Sequence, residues 1–217
     1  MDTKKTNQIV TQEDIMNLLD SCYEKWLNGI PAISVSVDKM AADYQKKHKN
    51  KEEACKAMLH NQIIKCTTSG ALTGLGGFIT LPVAIPANVG SVIYVQMRMI
   101  ACVAYMAGYD LDCDQTQTFV YACLAGVAIN SVVKKAGIKI GVKVSTNIIK
   151  KIPGTVLTKI NQKVGFRLLT KFGTTGVVNL GKLIPGIGAV VGGGLDLFET
   201  KIIADRAYAW FMKGNLS

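Results

Sequence analysis

From Cys66 to Met97 the chain runs thirty-two residues without an Asp, Glu, Lys, Arg or His: "CTTSGALTGLGGFITLPVAIPANVGSVIYVQM". A helix crosses a bilayer with about 20 apolar residues, so the tract is long enough to span. Its interior, however, holds Gly74, Gly76, Gly77, Pro82, Pro86 and Asn88. Breaks of this kind at membrane depth leave backbone groups that surrounding protein has to satisfy. The tract therefore reads as two short apolar helices meeting at an interrupted corner, either buried in a helical bundle or dipping into one leaflet. Pairs of small residues four apart, Gly70 with Gly74, Gly137 with Gly141 and Gly188 with Gly192, permit close helix approach. Peripheral or re-entrant membrane association suits the pattern better than a full span.

The rest of the chain predicts helices. Thr11 and Asp14 form a capping-box pattern that opens a helix through about Trp26, and "NGIP" from Asn28 to Pro31 ends it. Further helices are expected over Val37–His48, from Glu52 through Ile64, and from Asn88 to Gly108. Another should run from Gln115 to Lys135, capped by Asp112 or Asp114, followed by two helices split at "KIPG" and a last one from Glu199 to Met212. The short run Ile138 to Val144 is the only strand candidate. The expected fold is all-α, a single compact helical bundle with two Gly/Pro-rich apolar corner elements.

A shift of 103 positions lays Gly70 over Gly173, Pro82 over Pro185 and Gly90 over Gly193. It also sets Gln96 over Glu199, Arg98 over Lys201, and "IACVAY" over "IADRAY". Pseudo-duplication is one reading; two Gly-rich helix starts alike in composition is the other. Arg98 follows the uncharged tract on an apolar helix, where an unpaired buried charge costs several kcal/mol. If the two equivalent helices pack, Glu199 or Asp196 is the expected ion-pair partner of Arg98, with Gln96 beside it. The alternative is an arginine snorkelling at the bundle surface.

Charge is lopsided. Between Gln115 and Leu195 there is no acidic residue but eleven basic ones: Lys134, Lys135, Lys139, Lys143, Lys150, Lys151, Lys159, Lys163, Arg167, Lys171 and Lys182. The formal net charge of +10 is therefore carried entirely by this segment. Lys135, Lys139 and Lys143 step by four, as do Lys159, Lys163, Arg167 and Lys171, and Val156, Ile160, Val164 and Leu168 accompany the second series. Steps of four align cations along one helical face, next to an apolar face that packs or inserts. The first ten of these cations are the candidate lipid-binding face, for anionic headgroups that contribute about 1 kcal/mol per cation. Nucleic acid is disfavoured, because Phe166 and Phe172 are the only aromatics there able to stack on bases.

Catalytic and metal motifs fail on inspection. "GVVNLGKL" (Gly176 to Leu183) lacks the hydroxyl that a phosphate loop places on Mg²⁺. In "DLDCD" (Asp110 to Asp114) the calcium-loop positions six and twelve fall on Gln115 and Tyr121, not Gly and Glu. Two histidines do not make a structural zinc site, and no nucleophile has a legible partner. No catalytic residue, metal or cofactor is expected. The six cysteines form no CxxC pair and sit largely in apolar helices, as small hydrophobes in a reducing cytoplasm. The opening segment lacks the apolar stretch of a secretory signal.

The segment "SGALTGLGGFITLPVAIPANVGSVIYVQMRMIACVAYMAGYDLD" resembles the signature of the EcsC protein family: a Gly-rich stretch, a proline corner, a Q-x-R helix centre at Gln96 and Arg98, and a "GYD" turn at Gly108, Tyr109 and Asp110. The closing "KLIPGIGAVVGGGLDLFETKIIADRAYAWF" is similar to the family's C-terminal part. On this resemblance residues 1–50 form an N-terminal helical region and 51–217 the EcsC-like domain. The resemblance implies a bacterial, helical, membrane-associated protein, with a membrane transporter or other membrane protein as a further partner. The expected function is non-enzymatic binding to anionic membrane lipids at the cytoplasmic face of the cell membrane. The alternative is a toxin or effector whose apolar hairpins insert and permeabilise a bilayer; a lipid-acting enzyme has no residues to support it.

Overall fold

Thr11 starts the first helix as expected. Its side chain accepts from the Asp14 backbone N–H, and Asp14 Oδ2 accepts from the Thr11 N–H at 2.8 Å, so two orphan donors of the first turn are satisfied reciprocally. The computed structural model describes residues 11–67, 87–138, 145–172 and 193–216. Among these form nine α-helices and no strand: α1 (Gln12–Asn28), α2 (Val37–Lys47), α3 (Lys51–Thr67), α4 (Ala87–Met106), α5 (Asp114–Ala125), α6 (Ile129–Lys135), α7 (Thr146–Ile149), α8 (Gly154–Phe172) and α9 (Gly193–Ala207). A π-helical turn, Tyr208–Met212, continues α9. Both Gly-rich tracts, and with them the corner elements, the near-phosphate-loop stretch and all but Ile138 of the strand candidate, lie outside the described residues.

α4 is the axis of the molecule. It packs against α1, α2, α3, α5, α9 and the π turn. Every described side chain from Val92 to Met106 is buried except Tyr105. A helix that is apolar all round has no face to offer water, and surrounding it with other helices satisfies that. The end of the uncharged tract, Val92 to Met97, is thus bundle core. Among the described residues no helix is long and apolar enough to cross a membrane.

α4 ends at the "GYD" element. Gly108 adopts φ +88°, and the N–H groups of Gly108 and Tyr109 return to the carbonyls of Tyr105 and Ala104. This is the paired-bond C-cap that favours glycine, and it turns Tyr109 inward against Phe211, ring centroids 5.1 Å apart. The expected continuous helix from Gln115 to Lys135 is instead broken. The N–H groups of Gly126 and Val127 bond back to Cys123 and Ala122, closing α5 in the same way, and α6 begins at Ile129. Asp112 and Asp114 do not cap α5: its N-cap is Cys113, without a side-chain cap bond, and Asp114 is the first helical residue. Asp110 Oδ1 accepts from the Asp112 N–H at 3.2 Å, which holds the turn.

Side chains tie α1 to α5 and to the turn before it. Tyr121 donates to Asp20 at 3.0 Å, Tyr23 donates to the Leu111 carbonyl at 3.2 Å, and the Tyr23 and Tyr121 rings meet edge to face. On the far side α8 packs against α1 and α5, with Gly165 opposite Gln12 and Met16. None of the six cysteines forms a disulfide. Burial, with smaller effects from neighbouring charges, pushes the thiols of Cys55 and Cys123 up to about 12, so they behave as apolar packing groups.

Candidate lipid-facing surface and polar core

α8 begins just after Pro153, whose carbonyl accepts from the Val156 and Leu157 N–H groups. Val156, Leu157, Ile160, Val164, Gly165 and Leu168 turn inward. Thr155, Thr158, Lys159, Gln162, Lys163, Phe166, Arg167 and Thr170 are exposed, and no acidic residue occurs in the helix. The apolar stripe is occupied by α1, α5 and α6, so α8 meets solvent with its cationic side only. Phe166 stands 56% exposed between Lys163 and Arg167. The outer surface of α8 thus presents a large aromatic among cations.

The ten candidate cations divide into groups. Lys159, Lys163 and Arg167 share the outer face of α8, and exposed Lys134 and Lys135 end the adjoining α6. Lys151 is exposed before α8. Two others are engaged, Lys150 with Asp110 at 3.4 Å and Lys171 with Glu199, and Arg167 on the α8 face also donates to the carbonyls of Gly126 and Ala125. Lys139 and Lys143 lie outside the described residues. Arg206 was not anticipated. It donates to the Cys123 carbonyl at 2.7 Å, so two arginines meet the C-terminal carbonyls of α5, where the helix dipole favours cations.

Arg98 is buried as expected but differently partnered. Glu199 pairs with Lys171, and the anticipated Arg98–Glu199 bridge does not form; the Asp196 side chain lies outside the described ones. The Arg98 guanidinium donates to the carbonyl of Trp26 at 2.5 Å and to that of Val35, and lies 5.3 Å from the centroid of the Tyr94 ring. Trp26 is in the last turn of α1, whose carbonyls have no intrahelical partner. A delocalised cation at that negative helix end, over an aromatic face, is stabilised without a carboxylate. Burial pulls its pKa below the ordinary arginine value. The two equivalent helices α4 and α9 do pack, joined by Gln96 Nε2 donating to Thr200 Oγ1 at 2.9 Å.

Arg98 also reaches a cavity of about 730 Å³ between α2, α3 and α4. Met40, Asp43, Tyr44 and Lys47 line it from one face of α2, a spacing that a helical-wheel reading would place in contact with the core. Gln62 and Met40, then Asn61 and Tyr44, bridge α3 to α2 across one wall. Among the described residues no three His, Cys, Asp or Glu gather as metal ligands.

The sequence matches the EcsC protein family over residues 3–213. The chain belongs to the EcsC family. The match begins at residue 3, and so takes in α1 and α2, whose ends Arg98 ties together. In this EcsC chain the "Q-x-R" pair is therefore a packing device of the polar core: Gln96 faces α9, and Arg98 faces the α1–α2 junction. No curated protein and no solved structure matches the chain.

Proposed function

We propose that this EcsC protein is a peripheral membrane protein that binds anionic lipid at the inner face of the cell membrane, a binding role rather than a catalytic one. The observation behind this reading is the outer face of α8, where Lys159, Lys163 and Arg167 align without an opposing acid and flank exposed Phe166. Lys134 and Lys135 on the adjoining helix extend the positive field. Each cation near an anionic surface contributes about 1 kcal/mol, and Phe166 adds about 2 kcal/mol if its ring enters the interface. Attachment through α8 leaves its apolar face on the bundle, so the helix lies on the membrane without unfolding the protein.

Flotation with vesicles tests this directly. Vesicles containing phosphatidylglycerol should carry the protein upward, whereas pure phosphatidylcholine vesicles should leave it behind. Raising salt to 1 M, where the Debye length shrinks to about 3 Å, should release it. Equal recovery on both vesicle types, or recovery on neither, would refute the proposal; release of an encapsulated dye would point to insertion instead.

A further inference from the structure

We infer that the membrane contact is a two-helix surface, in which Phe198 and Ile202 of α9 enter the apolar margin of an anionic bilayer beside the cationic face of α8. This rests on the reading of α8 as the lipid-binding helix and supplies the apolar half of the contact. α9 has two unlike faces. Thr200, Ile203, Ala204 and Ala207 are buried in the bundle. Phe198 and Ile202, one turn apart, point the opposite way and are 63% and 41% exposed. Single exposed apolar side chains are ordinary, so their grouping carries the argument. Among the described residues Phe198 and Phe166 are the two most exposed large hydrophobic side chains, and they stand on different helices.

α8 and α9 meet along their flanks. Lys171 pairs with Glu199, and Arg167 and Arg206 converge on Gly126, where a Cβ would stand 3.2 Å from a terminal nitrogen of each. The two links come in opposite order along the two helices, so the pair is antiparallel there. On α8, Arg167 and Lys171 lie between the buried stripe of Ile160, Val164 and Leu168 and the outer side chains of Lys163 and Phe166. On α9, Glu199 and Arg206 lie between buried Thr200 and Ile203 and outer Phe198 and Ile202. Joined flank to flank, the helices turn both outer faces to one side of the molecule. The charges there suit an anionic surface. Lys171 neutralises Glu199, exposed Lys201 adjoins Ile202, and Asp205 lies almost a turn further along α9, next to Arg206. A second copy docking through this same face would set the α8 cations against themselves. An anionic bilayer offers acyl chains and phosphates together.

Co-sedimentation of the full chain with phosphatidylglycerol vesicles tests the inference. Phe198→Ala with Ile202→Ala should weaken binding at least about tenfold and leave the thermal melt unchanged. Ile33→Ala, which removes a side chain 40% exposed ahead of α2, should not alter binding. Phe198→Trp should bind as the unaltered chain does. Its emission, set against the buried Trp26 and Trp210, should shift to the blue on the vesicles and be quenched by lipids brominated on their acyl chains. If the unaltered chain does not bind these vesicles, the α8 reading and this one fall together. If it binds, this inference alone is overturned by equal binding of the double variant, by an equal loss in Ile33→Ala, or by unquenched Phe198→Trp emission. A concentration-dependent dimer in buffer, abolished by the double variant, would assign the face to a second copy and overturn it as well.

Discussion

Nη1 of Arg98 donates to the main-chain carbonyl of Trp26 at 2.5 Å, so an arginine in the central helix closes the C-terminal end of α1. Its other terminal nitrogen holds Val35, just ahead of α2. Removing the guanidinium strands two carbonyls in a partly dry setting, at about 1–3 kcal/mol each. Arg98→Gln should therefore lower the unfolding free energy by about 2–4 kcal/mol in urea titration. Arg98→Lys cannot span both carbonyls with one ammonium and should recover only part of the loss. A neutral effect of Arg98→Gln would show that the carbonyls find water.

Gly29 controls the same junction. It sits at φ 81°, ψ 177°, a region open essentially to glycine alone. A Cβ there would also meet the Ser34 carbonyl and stand 2.7 Å from that of Val35, so strain and clash add. Gly29→Ala should cost about 3 kcal/mol or more, well beyond an exposed-loop substitution. Paired with Arg98→Gln, the losses should be less than additive, because both act on the Val35 carbonyl. Full additivity would mean the two residues do not share the loop.

How far the sequence discloses the fold depends on where each partner lies. The capping box of Thr11 and Asp14, the break at Pro153 and the "GYD" turn are local, and local patterns carry their own evidence. The split at Gly126 is not visible as a periodicity change. A glycine within a helical pattern costs about 1 kcal/mol, which tertiary bonds decide, here those of Arg167 and Arg206 to the neighbouring carbonyls. Arg98 illustrates the larger difficulty. Its burial is legible from the apolar residues around it, but every residue offers a carbonyl, so no pattern singles out Trp26 and Val35 as acceptors. The alignment of Lys159, Lys163 and Arg167 is likewise readable, whereas the pairing of Lys171 with Glu199 joins helices that only the fold brings together.

On the outer face of α8, Lys159→Ala and Lys163→Ala should each weaken binding to phosphatidylglycerol vesicles about fivefold at physiological salt. Phe166→Ala should weaken it by a factor that high salt does not change, since apolar burial is unscreened. None of the three should shift stability by more than about 0.5 kcal/mol, because the side chains are exposed. Vesicle co-sedimentation at two salt concentrations, alongside thermal melts, separates these contributions. A salt-independent lysine effect would contradict the electrostatic assignment.

The buried thiols predict alkaline weakening. An unfolded cysteine ionises near 9.0, whereas folding raises Cys55 and Cys123 to about 12, chiefly by burial. The stabilisation from holding the proton is fully present below pH 9 and is lost as pH rises from there through about 12. Each thiol lowers the unfolding free energy by up to about 1.4 kcal/mol per pH unit in that window. Burial also raises Tyr23 and Tyr121, which work in the same direction. Urea unfolding should be flat from pH 7 to 8.5 and decline beyond 9, and Cys123→Ala should flatten the decline. Thiol labelling of the native protein at pH 7 should reach Cys22 and Cys113 and spare Cys55, Cys66, Cys102 and Cys123.

Gln96 and Thr200 are both fully buried, and their bond crosses the α4–α9 contact. Among the described residues Gln96 Oε1 has no partner, so the pair is half-satisfied. Thr200→Val removes the remaining acceptor and should cost about 1–3 kcal/mol. Gln96→Met with Thr200→Val replaces both polar groups by apolar ones of similar size, and should restore most of that loss. A double-mutant cycle in urea measures the coupling. If the double variant is as unstable as the sum of the single losses, the amide contributes something to the α4–α9 seam beyond this bond, and its unpartnered oxygen becomes the atom to explain.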